Sequence, residues 1–303
     1  CNEKWITWRT YCNEEQMTIA FNHLGKLGQL GNQMFQYAAT KGIASKLGVP
    51  FMIPNHREVF NDGIGNEYTI LLFDIFKLHS PRPAFNYPYE LSSIPETLLG
   101  TLKTDNYIQE KNFYFDEEFF NLDTSENYSL YGFFQTEKYF KHIQNEILND
   151  FTFKDEITNG CRSVIQNFKD PIALHIRRGD FVHNSGNHPP LDMEYYKSAL
   201  ELFDSDREVI IFSDDTEWCK EQDLFESDRF AVAEGGHQFY DLCLMTMCSD
   251  FIIANSSLSW WGAWLSRIYK RPGRGRVIAP KKWFGENLNH DTKDLYCEGW
   301  TVL

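Results

Sequence analysis

The second half of the chain alternates short apolar runs with segments of helical periodicity. The runs lie at residues 172–176, 209–212, 251–254 and 277–279, and helical segments are predicted near 192–203, 237–248 and 257–269. Strands that alternate with helices are typical of a doubly wound, mostly parallel sheet. Such a sheet binds ligands outside the carboxyl ends of its strands, so the residues that follow each run are the first candidates for a site.

The first half begins with one strand, one turn and one helix, and then becomes irregular. Residues 18–23 are typical of a buried strand, and the turn GKLGQLG at 25–31 leads into a helix predicted from Asn32 to about Leu47. A stripe at i, i+3, i+4, i+7 and i+8 predicts an amphipathic helix whose small residues pack closely: Phe35, Ala38, Ala39, Gly42 and Ile43. Residues 55–150 are rich in aromatics and interrupted by prolines, so no sheet order follows from them.

The length of the chain suits two domains better than one. At 303 residues it is long for a single core and allows two domains of roughly 150 residues each. The change in pattern places their boundary near NDFTFKDE, which divides the chain into residues 1–154 and 155–303. The first 17 residues carry charges and are expected to precede the first core.

Composition narrows the classes of partner. The net charge of −14 argues against nucleic acid, since a phosphate backbone requires a broad basic face, but a few arginines can still bind a small anion. The seven cysteines form no CxxC pair and are expected to be reduced thiols. No window approaches 18 uninterrupted apolar residues, so we expect no transmembrane segment, which leaves peripheral membrane association open. Without an apolar signal core at the start, the expected compartment is the cytoplasm.

The stretch HIRRGDF begins at His175, at the end of a predicted strand. A planar guanidinium there can bind a phosphate through two parallel hydrogen bonds, and it stays charged when partly desolvated. Arg177 and Arg178 are therefore candidates for an anion site, although both could instead pair with surface carboxylates. Asp180 is then either a partner that holds one arginine in place or a group that reaches a second substrate.

A second predicted strand ends in FSDD, which places Asp214 and Asp215 at its tip. A carboxylate can accept the two adjacent N–H donors of guanine, but the same residue types also cap helices, and both interpretations stay open. The only DxD motif, Asp204-Ser205-Asp206, lies in a charged stretch with no strand immediately before it. We interpret that motif as a solvated loop and assign it no metal.

Two helix starts complete the set of candidates. Asn255, Ser256 and Ser257 follow the third strand, and hydroxyls and free N–H groups at a helix start can bind an anion. The three tryptophans of the following helix are interpreted as packing residues. In the first half, the glycine turn allows close approach of a ligand, and we expect residues 31–33, Gly31-Asn32-Gln33, to face a cleft between the halves.

Four motifs in this order, GQLGNQMFQYA, HIRRGDF, FSDD and FIIANSSLSWWGAWL, resemble those of the bacterial α-1,2-fucosyltransferase family. The resemblance spans roughly residues 20–285 and includes PKKWF at 280–284. It implies a GT-B architecture, in which two Rossmann-like domains face each other across a cleft, with an acceptor-side domain at 1–154 and a donor-binding domain at 155–303. It also implies GDP-β-L-fucose as donor, a galactoside-containing oligosaccharide as acceptor, an α-linked product and no divalent cation.

By motif match, the resemblance also distributes roles among the candidates. Arg177 would contact the diphosphate, with His175 and Arg178 at the same donor site. Asp214 or Asp215 would recognise guanine. The serine-rich helix start at 255–257 would hold the phosphates, and residues 31–33 would face the transferred fucose or the acceptor.

The general base is the weakest part of the match. In α-1,6 relatives a glutamate a few residues beyond the arginine motif serves as the general base. This chain has VHNSGNH at 182–188, which contains no carboxylate. Asp180 and His183 are the nearest titratable groups, and Asp180 is slightly favoured as the base.

The motifs leave other functions open. The alternatives to an α-1,2-fucosyltransferase are a protein O-fucosyltransferase, an enzyme that uses GDP-mannose, and a non-catalytic protein that binds GDP-sugars or glycans.

Overall fold

The computed structural model describes residues 17–55, 59–61, 67–78, 82–83, 97–269 and 275–303. Within these ranges the chain forms two six-stranded sheets and one two-stranded antiparallel ribbon. Every strand pairing in the two larger sheets is parallel. The expected architecture of two Rossmann-like α/β halves is therefore confirmed.

The first sheet and its helices come from the first half of the chain. The strands of this half are β1 (Ile19–Ala20), β2 (Phe51–Ile53), β3 (Phe60–Asn61), β4 (Glu67–Tyr68), β5 (Arg82–Pro83), β6 (Thr97–Leu99), β7 (Tyr107–Gln109) and β8 (Tyr128–Tyr131). The helices are α1 (Leu30–Leu47), α2 (Leu72–Ile75) and α3 (Gln144–Asp150), with 3-10 turns at Glu117–Phe120, Glu137–Tyr139 and Lys141–Ile143. The spatial order is β5-β6-β2-β1-β8-β7, and β3 and β4 form the ribbon.

The second sheet comes entirely from the second half. Its strands are β9 (Ile172–Ile176), β10 (Val209–Ser213), β11 (Phe230–Val232), β12 (Asp250–Ile252), β13 (Val277–Ala279) and β14 (Thr301–Val302). The helices are α4 (Asp155–Ile165), α5 (Gly179–His183), α6 (Met193–Leu200), α7 (Thr216–Lys220), α8 (Gln238–Met247) and α9 (Ser257–Leu265), with 3-10 turns at Asp223–Phe225 and Ser266–Tyr269. The four predicted strands and three predicted helical segments are all present, with ends shifted by a few residues.

The order of the second sheet is β11-β10-β9-β12-β13-β14. From β9 the chain moves outward through β10 and β11, and it then returns to the other side of β9 as β12. This reversal creates a crevice at the carboxyl ends of β9 and β12, which is where a doubly wound sheet binds its ligand. The candidate residues after β9 and β12 therefore flank the crevice.

Helix α1 differs from its predicted amphipathic form, because its residues are buried on all sides from Leu30 to Ala44, with Asn32 the half-buried exception. The helix packs against the first sheet on one side and against α9 on another. Even Lys41 is enclosed, and its charge is matched by an ion pair with Asp150, which also accepts a hydrogen bond from the Tyr37 hydroxyl. The amphipathic prediction was wrong because a second domain covers the face that would otherwise meet water.

The two halves share one continuous apolar core. Trp260, Trp261 and Trp264 of α9 are fully buried, which confirms their interpretation as packing residues. Trp261 lies 4.9 Å from Phe35 of α1 and 5.5 Å from Phe140, measured between ring centroids. The predicted boundary after residue 154 falls between α3 and α4, and it stays a prediction because this shared core crosses it.

The predictions for the N-terminal segment and for the cysteines can be compared with the structure only where the residues are described. The prediction that residues 1–17 precede the core concerns mostly residues outside the described ranges, although Met17 itself is buried in the first core. Five of the seven cysteines lie in the described part, and all five are buried free thiols: Cys161, Cys219, Cys243, Cys248 and Cys297. Among the helices of the described residues, none combines the length and the apolar character needed to cross a membrane.

Candidate active site

The candidate residues of the second half meet at one edge of its sheet. In the parallel register His175 of β9 lies opposite Phe212 of β10, so both strands end at the same level. On the other side, Leu174 lies opposite Ile252 of β12. The segments that follow these strands, 177–180, 214–215 and 255–257, therefore share one edge, as the order of the sheet requires.

Arg177 lies at this edge between two carboxylates. Its guanidinium contacts Asp180 at 2.5 Å and Asp214 at 2.9 Å, and it lies 5.4 Å from the ring centroid of Phe181. Arg177 is thus paired with carboxylates in this structure, and Asp180 has the first of its two proposed roles, that of a partner that holds one arginine in place. The Asp180 side chain is 62% exposed, so an incoming anion can displace this carboxylate at small cost.

Arg178 is held by one carboxylate and one aromatic ring. Its Nε donates to Asp215 at 3.0 Å, and its guanidinium lies 3.9 Å above the ring centroid of Trp218. Asp215 also accepts a hydrogen bond from the backbone N–H of Trp218, so it caps α7, which was one of the two interpretations for FSDD. An arginine with a carboxylate on its edge and an indole on its face has a fixed orientation.

Asp214 is similarly engaged by the arginine segment. One oxygen accepts from the Arg178 backbone N–H at 2.8 Å, and the other pairs with Arg177 at 2.9 Å. Asp214 and Asp215 therefore orient the two arginines in this structure. Their contact with guanine stays a prediction, because binding a base would require these hydrogen bonds to be shared or exchanged.

His175 is an enclosed, neutral imidazole on β9. Burial and, to a smaller extent, the nearby positive charge of Arg177 together lower its pKa to about 3. Its Nδ1 finds no hydrogen-bond partner among the residues that the structure describes. His175 therefore lies beside the arginines without adding charge to them, and its contact with the donor stays a prediction.

The start of α9 lies on the other side of the crevice. Ser256 is the N-cap, and its hydroxyl accepts from the backbone N–H of Leu258. Asn255 is buried, and its amide nitrogen donates to the carbonyl oxygens of Pro189 and Trp283 at 2.9 and 3.1 Å. Asn255 thus ties together the loops after α5 and β13, while the half-buried Ser256 and Ser257 remain at the helix start as candidates for an anion.

The first half contributes the start of α1, where the three candidates have different surroundings. Gly31 packs directly on α9: a Cβ at this position would lie 2.5 Å from the Ser257 hydroxyl oxygen. The half-buried Asn32 accepts a 2.7 Å hydrogen bond from Gln135. Gln33 instead bonds the backbone at Thr69 and Leu71, so the expectation that its amide points into the cleft has no support from these contacts.

Sequence reasoning missed three polar residues of the irregular region. Glu137 accepts hydrogen bonds from Trp264 at 3.0 Å and from Arg267 at 2.7 Å, which joins the two halves. Gln135 contacts the start of α1, and Glu110 lies at the end of β7, where burial raises its pKa to about 7 despite hydrogen bonds from two backbone N–H groups. The sequence pattern that could have revealed Gln135 and Glu137 is YGFFQTEKYF at 131–140, in which polar residues interrupt an aromatic run. Polar side chains that are buried together with such aromatic residues need hydrogen-bond partners.

Asp204 and Asp206 are both exposed in the loop before β10. In the described parts of the chain, no group of three histidine, cysteine, aspartate or glutamate side chains is arranged to hold a metal ion. The positive groups that the described residues place at the candidate site are the Arg177 and Arg178 guanidiniums and the N–H groups at the start of α9.

Two solved structures of a fucosyltransferase have the same fold as this chain. The NodZ α-1,6-fucosyltransferase soaked with GDP-fucose matches with a TM-score of 0.52 and 11% identity, over 91% of this chain and 98% of that one. The fucosyltransferase NodZ from Bradyrhizobium matches with a TM-score of 0.50 and 10% identity, over 82% and 93%. At such identities the likeness shows the fold, which is GT-B.

Sequence comparison places the chain more narrowly. The O-antigen biosynthesis glycosyltransferase WbnK of Escherichia coli is 30% identical over 89% of this chain and 97% of its own length. An α-1,2-colitosyltransferase of Escherichia coli is 30% identical over 86% and 92%, and galactoside α-(1,2)-fucosyltransferase 2 of Pongo pygmaeus is 25% identical over 80% and 68%. The model of glycosyl transferase family 11 matches residues 5–303. The chain is therefore a glycosyltransferase that belongs to glycosyl transferase family 11.

Proposed function

We propose that this enzyme transfers L-fucose from GDP-β-L-fucose to the 2-hydroxyl of a terminal galactoside in an oligosaccharide, with inversion and without a metal ion. One observation carries the proposal. Arg177 and the start of α9 flank the crevice of the second sheet, and Gly31 of the first half closes against that helix start. Fixed positive charge thus lies where the two domains meet.

The charges that develop during transfer explain this arrangement. Breaking the bond between fucose C1 and the phosphate oxygen leaves positive charge on the sugar and negative charge on GDP. The Arg177 guanidinium and the N–H groups at the start of α9 are preorganised to stabilise the departing diphosphate. This is the contribution that a divalent cation makes in other glycosyltransferases.

The ion pairs of Arg177 with Asp180 and Asp214 suggest how the donor binds. The diphosphate replaces Asp180 at the Arg177 guanidinium, since Asp180 is largely exposed and regains water when displaced. Asp214 and Asp215 keep their hydrogen bonds to the arginine segment and hold both guanidiniums in place. Asp180, once released, is free to approach the acceptor hydroxyl.

Inversion requires the hydroxyl to attack C1 from the face opposite GDP, and its proton must pass to a base or to water. Asp180 is our candidate, with His183 as the other titratable group of the same short helix. A strongly dissociative transition state makes small demands on this base.

A second donor deserves a test because one relative is an α-1,2-colitosyltransferase. The decisive assay incubates the enzyme with GDP-fucose or GDP-colitose and lactose, and determines the linkage of any product. We expect an α-1,2-fucosylated galactoside. If only GDP-colitose supports transfer, the donor is GDP-colitose and the proposal of GDP-fucose is wrong. If the protein binds GDP but neither transfers nor releases fucose, it is a non-catalytic protein.

A further inference from the structure

The segment after β8 makes an unusual turn at the edge of the first sheet. Phe134 has a φ of 53°, which a bulky residue rarely adopts, and the turn is held by Glu110. The Glu110 carboxylate accepts hydrogen bonds from the backbone N–H groups of Phe133 at 2.7 Å and Phe134 at 3.0 Å. A strained turn that is held by a half-buried carboxylate suggests that the next side chain has a functional position.

That next side chain is Gln135, which the turn places beside the start of α1. Its Nε2 donates to the Asn32 side-chain oxygen at 2.7 Å. Its Oε1 is buried and has no hydrogen-bond partner within the described part of the chain, although only 7% of the residue is exposed. A buried amide oxygen without a hydrogen bond destabilises the fold, so a partner outside the protein is the natural explanation.

The position of this amide connects it to the proposed donor site. Asn32 follows Gly31, which packs against Ser257 at the start of α9. The Asn32 amide nitrogen lies directly against Gly28. A Cβ at position 28 would collide with this nitrogen, so the Asn32 side chain can lie here only because residue 28 is a glycine. The Asn32–Gln135 pair therefore lies on the first-half side of the point where the diphosphate is expected.

The chemistry of the pair selects the ligand. An amide oxygen accepts only, and a nucleoside diphosphate at neutral pH offers no proton from its phosphates. A sugar hydroxyl both donates and accepts, so it can donate to Gln135 Oε1 and accept from the amide nitrogen of Asn32. We infer that Gln135 and Asn32 form a hydroxyl-binding subsite for a sugar ring at the transfer point, with Glu110 as the residue that positions it. This inference rests on the proposed function, and the sugar is either the fucosyl group of the donor or the acceptor.

The test uses Gln135→Met, which keeps the length of the side chain but removes its amide. The matched control is Gln109→Met, at an exposed position on the neighbouring strand β7. For both variants and the wild type we would measure the affinity for GDP, the KM for GDP-fucose and for lactose, and the midpoint of thermal unfolding. A raised KM for lactose assigns the subsite to the acceptor, and a raised KM for GDP-fucose with unchanged GDP affinity assigns it to the donor sugar.

We expect Gln135→Met to raise one of these KM values at least about tenfold, because the sugar loses roughly one hydrogen bond to the protein. GDP affinity should stay within about twofold, and the unfolding midpoint should change little, because loss of the hydrogen bond to the half-buried Asn32 is offset by removal of an unsatisfied buried oxygen. Unchanged KM values for both substrates, or a parallel loss of GDP affinity and stability, would overturn the inference. If Gln135→Met does not fold, Gln135→Glu retains the accepting oxygen, and failure of both to fold would show a purely structural role.

The proposed function and this inference fail in different ways. If the wild type transfers no fucose to any acceptor, the proposed function falls. The subsite is then tested by comparing the binding of GDP-fucose with that of GDP in the wild type and in Gln135→Met.

Discussion

The indole nitrogen of Trp261 donates a 3.0 Å hydrogen bond to the carbonyl oxygen of Gly31, 230 residues earlier in the chain. Helix α9 follows β12 of the second sheet, and α1 follows β1 of the first, so the contact joins the ligand-binding edges of both sheets. Because Gly31 has no side chain, the backbone of α1 can approach Ser257 closely. The two sides of the proposed site are thereby packed against each other by the fold itself.

Gly31→Ala should therefore disturb both stability and transfer. The new Cβ would lie 2.5 Å from the Ser257 hydroxyl oxygen and 2.7 Å from its backbone carbonyl carbon, so the helices must separate. We expect a loss of about 1–3 kcal/mol in the free energy of unfolding, measured in urea, together with weaker GDP binding. Gly160→Ala is the control, since its Cβ would meet nothing closer than 3.5 Å and should leave stability unchanged or slightly higher. Equal effects of the two substitutions would contradict the close packing at Gly31.

Arg177→Ala should reduce kcat for fucose transfer by about two to three orders of magnitude, the typical effect of losing one preorganised charge donor. The fold should survive, because Arg177 is partly exposed and its ion pairs with Asp180 and Asp214 lie at the surface, where such pairs contribute little to stability. Steady-state kinetics and thermal unfolding check the two statements. Arg229→Ala, at a position remote from the crevice, should keep full activity. A variant of Arg177 that unfolds would instead support a structural ion pair.

Glu137→Ala should destabilise the contact between the halves by about 2–3 kcal/mol, because it leaves the donors of Trp264 and Arg267 without their acceptor. Urea unfolding measures the loss. Glu117→Ala, at an exposed position of a nearby 3-10 turn, should change stability by less than about 0.5 kcal/mol. If the two variants unfold at the same urea concentration, Glu137 does not hold the halves together.

Glu110 should make stability depend on pH in a defined direction. Burial raises its pKa from 4.5 to about 7, so the folded protein binds this proton more tightly than the unfolded chain does. Its contribution is then largest below about pH 4.5 and is lost as the pH rises through about 7. Between pH 5 and pH 8, the wild type should lose about 1–3 kcal/mol more than Glu110→Gln. Parallel stability curves for the two proteins would show that the carboxyl group is not enclosed.

Removal of divalent cations with EDTA should leave the transfer rate unchanged, since Arg177 and the α9 start supply the positive charge. Added Mg²⁺ or Mn²⁺ should likewise have no effect. A strict requirement for either ion would overturn this part of the proposal and direct attention to Asp204 and Asp206.

The sequence predicted β9, β10, β12 and β13 of the second half because these strands are buried on both faces. It did not predict β11, which is half-buried, or β14, which is exposed. Residues 277–279 are a continuous apolar run, residues 172–176 are interrupted only by His175, and the motifs that follow the strands belong to a recognisable set. The first half was harder beyond β1, because β3, β4 and β5 contain only two residues each, too few to show a period. The role of Glu137 was inaccessible because its partner Trp264 is 127 residues away, and no local pattern reports a contact over that distance.

The most direct measurement of the central claim is a crystal structure of the enzyme with GDP. We expect the diphosphate to lie between the Arg177 guanidinium and the N–H groups at the start of α9, with Asp180 displaced from the arginine. A nucleotide bound elsewhere, with Arg177 still paired to both Asp180 and Asp214, would contradict the proposed mechanism.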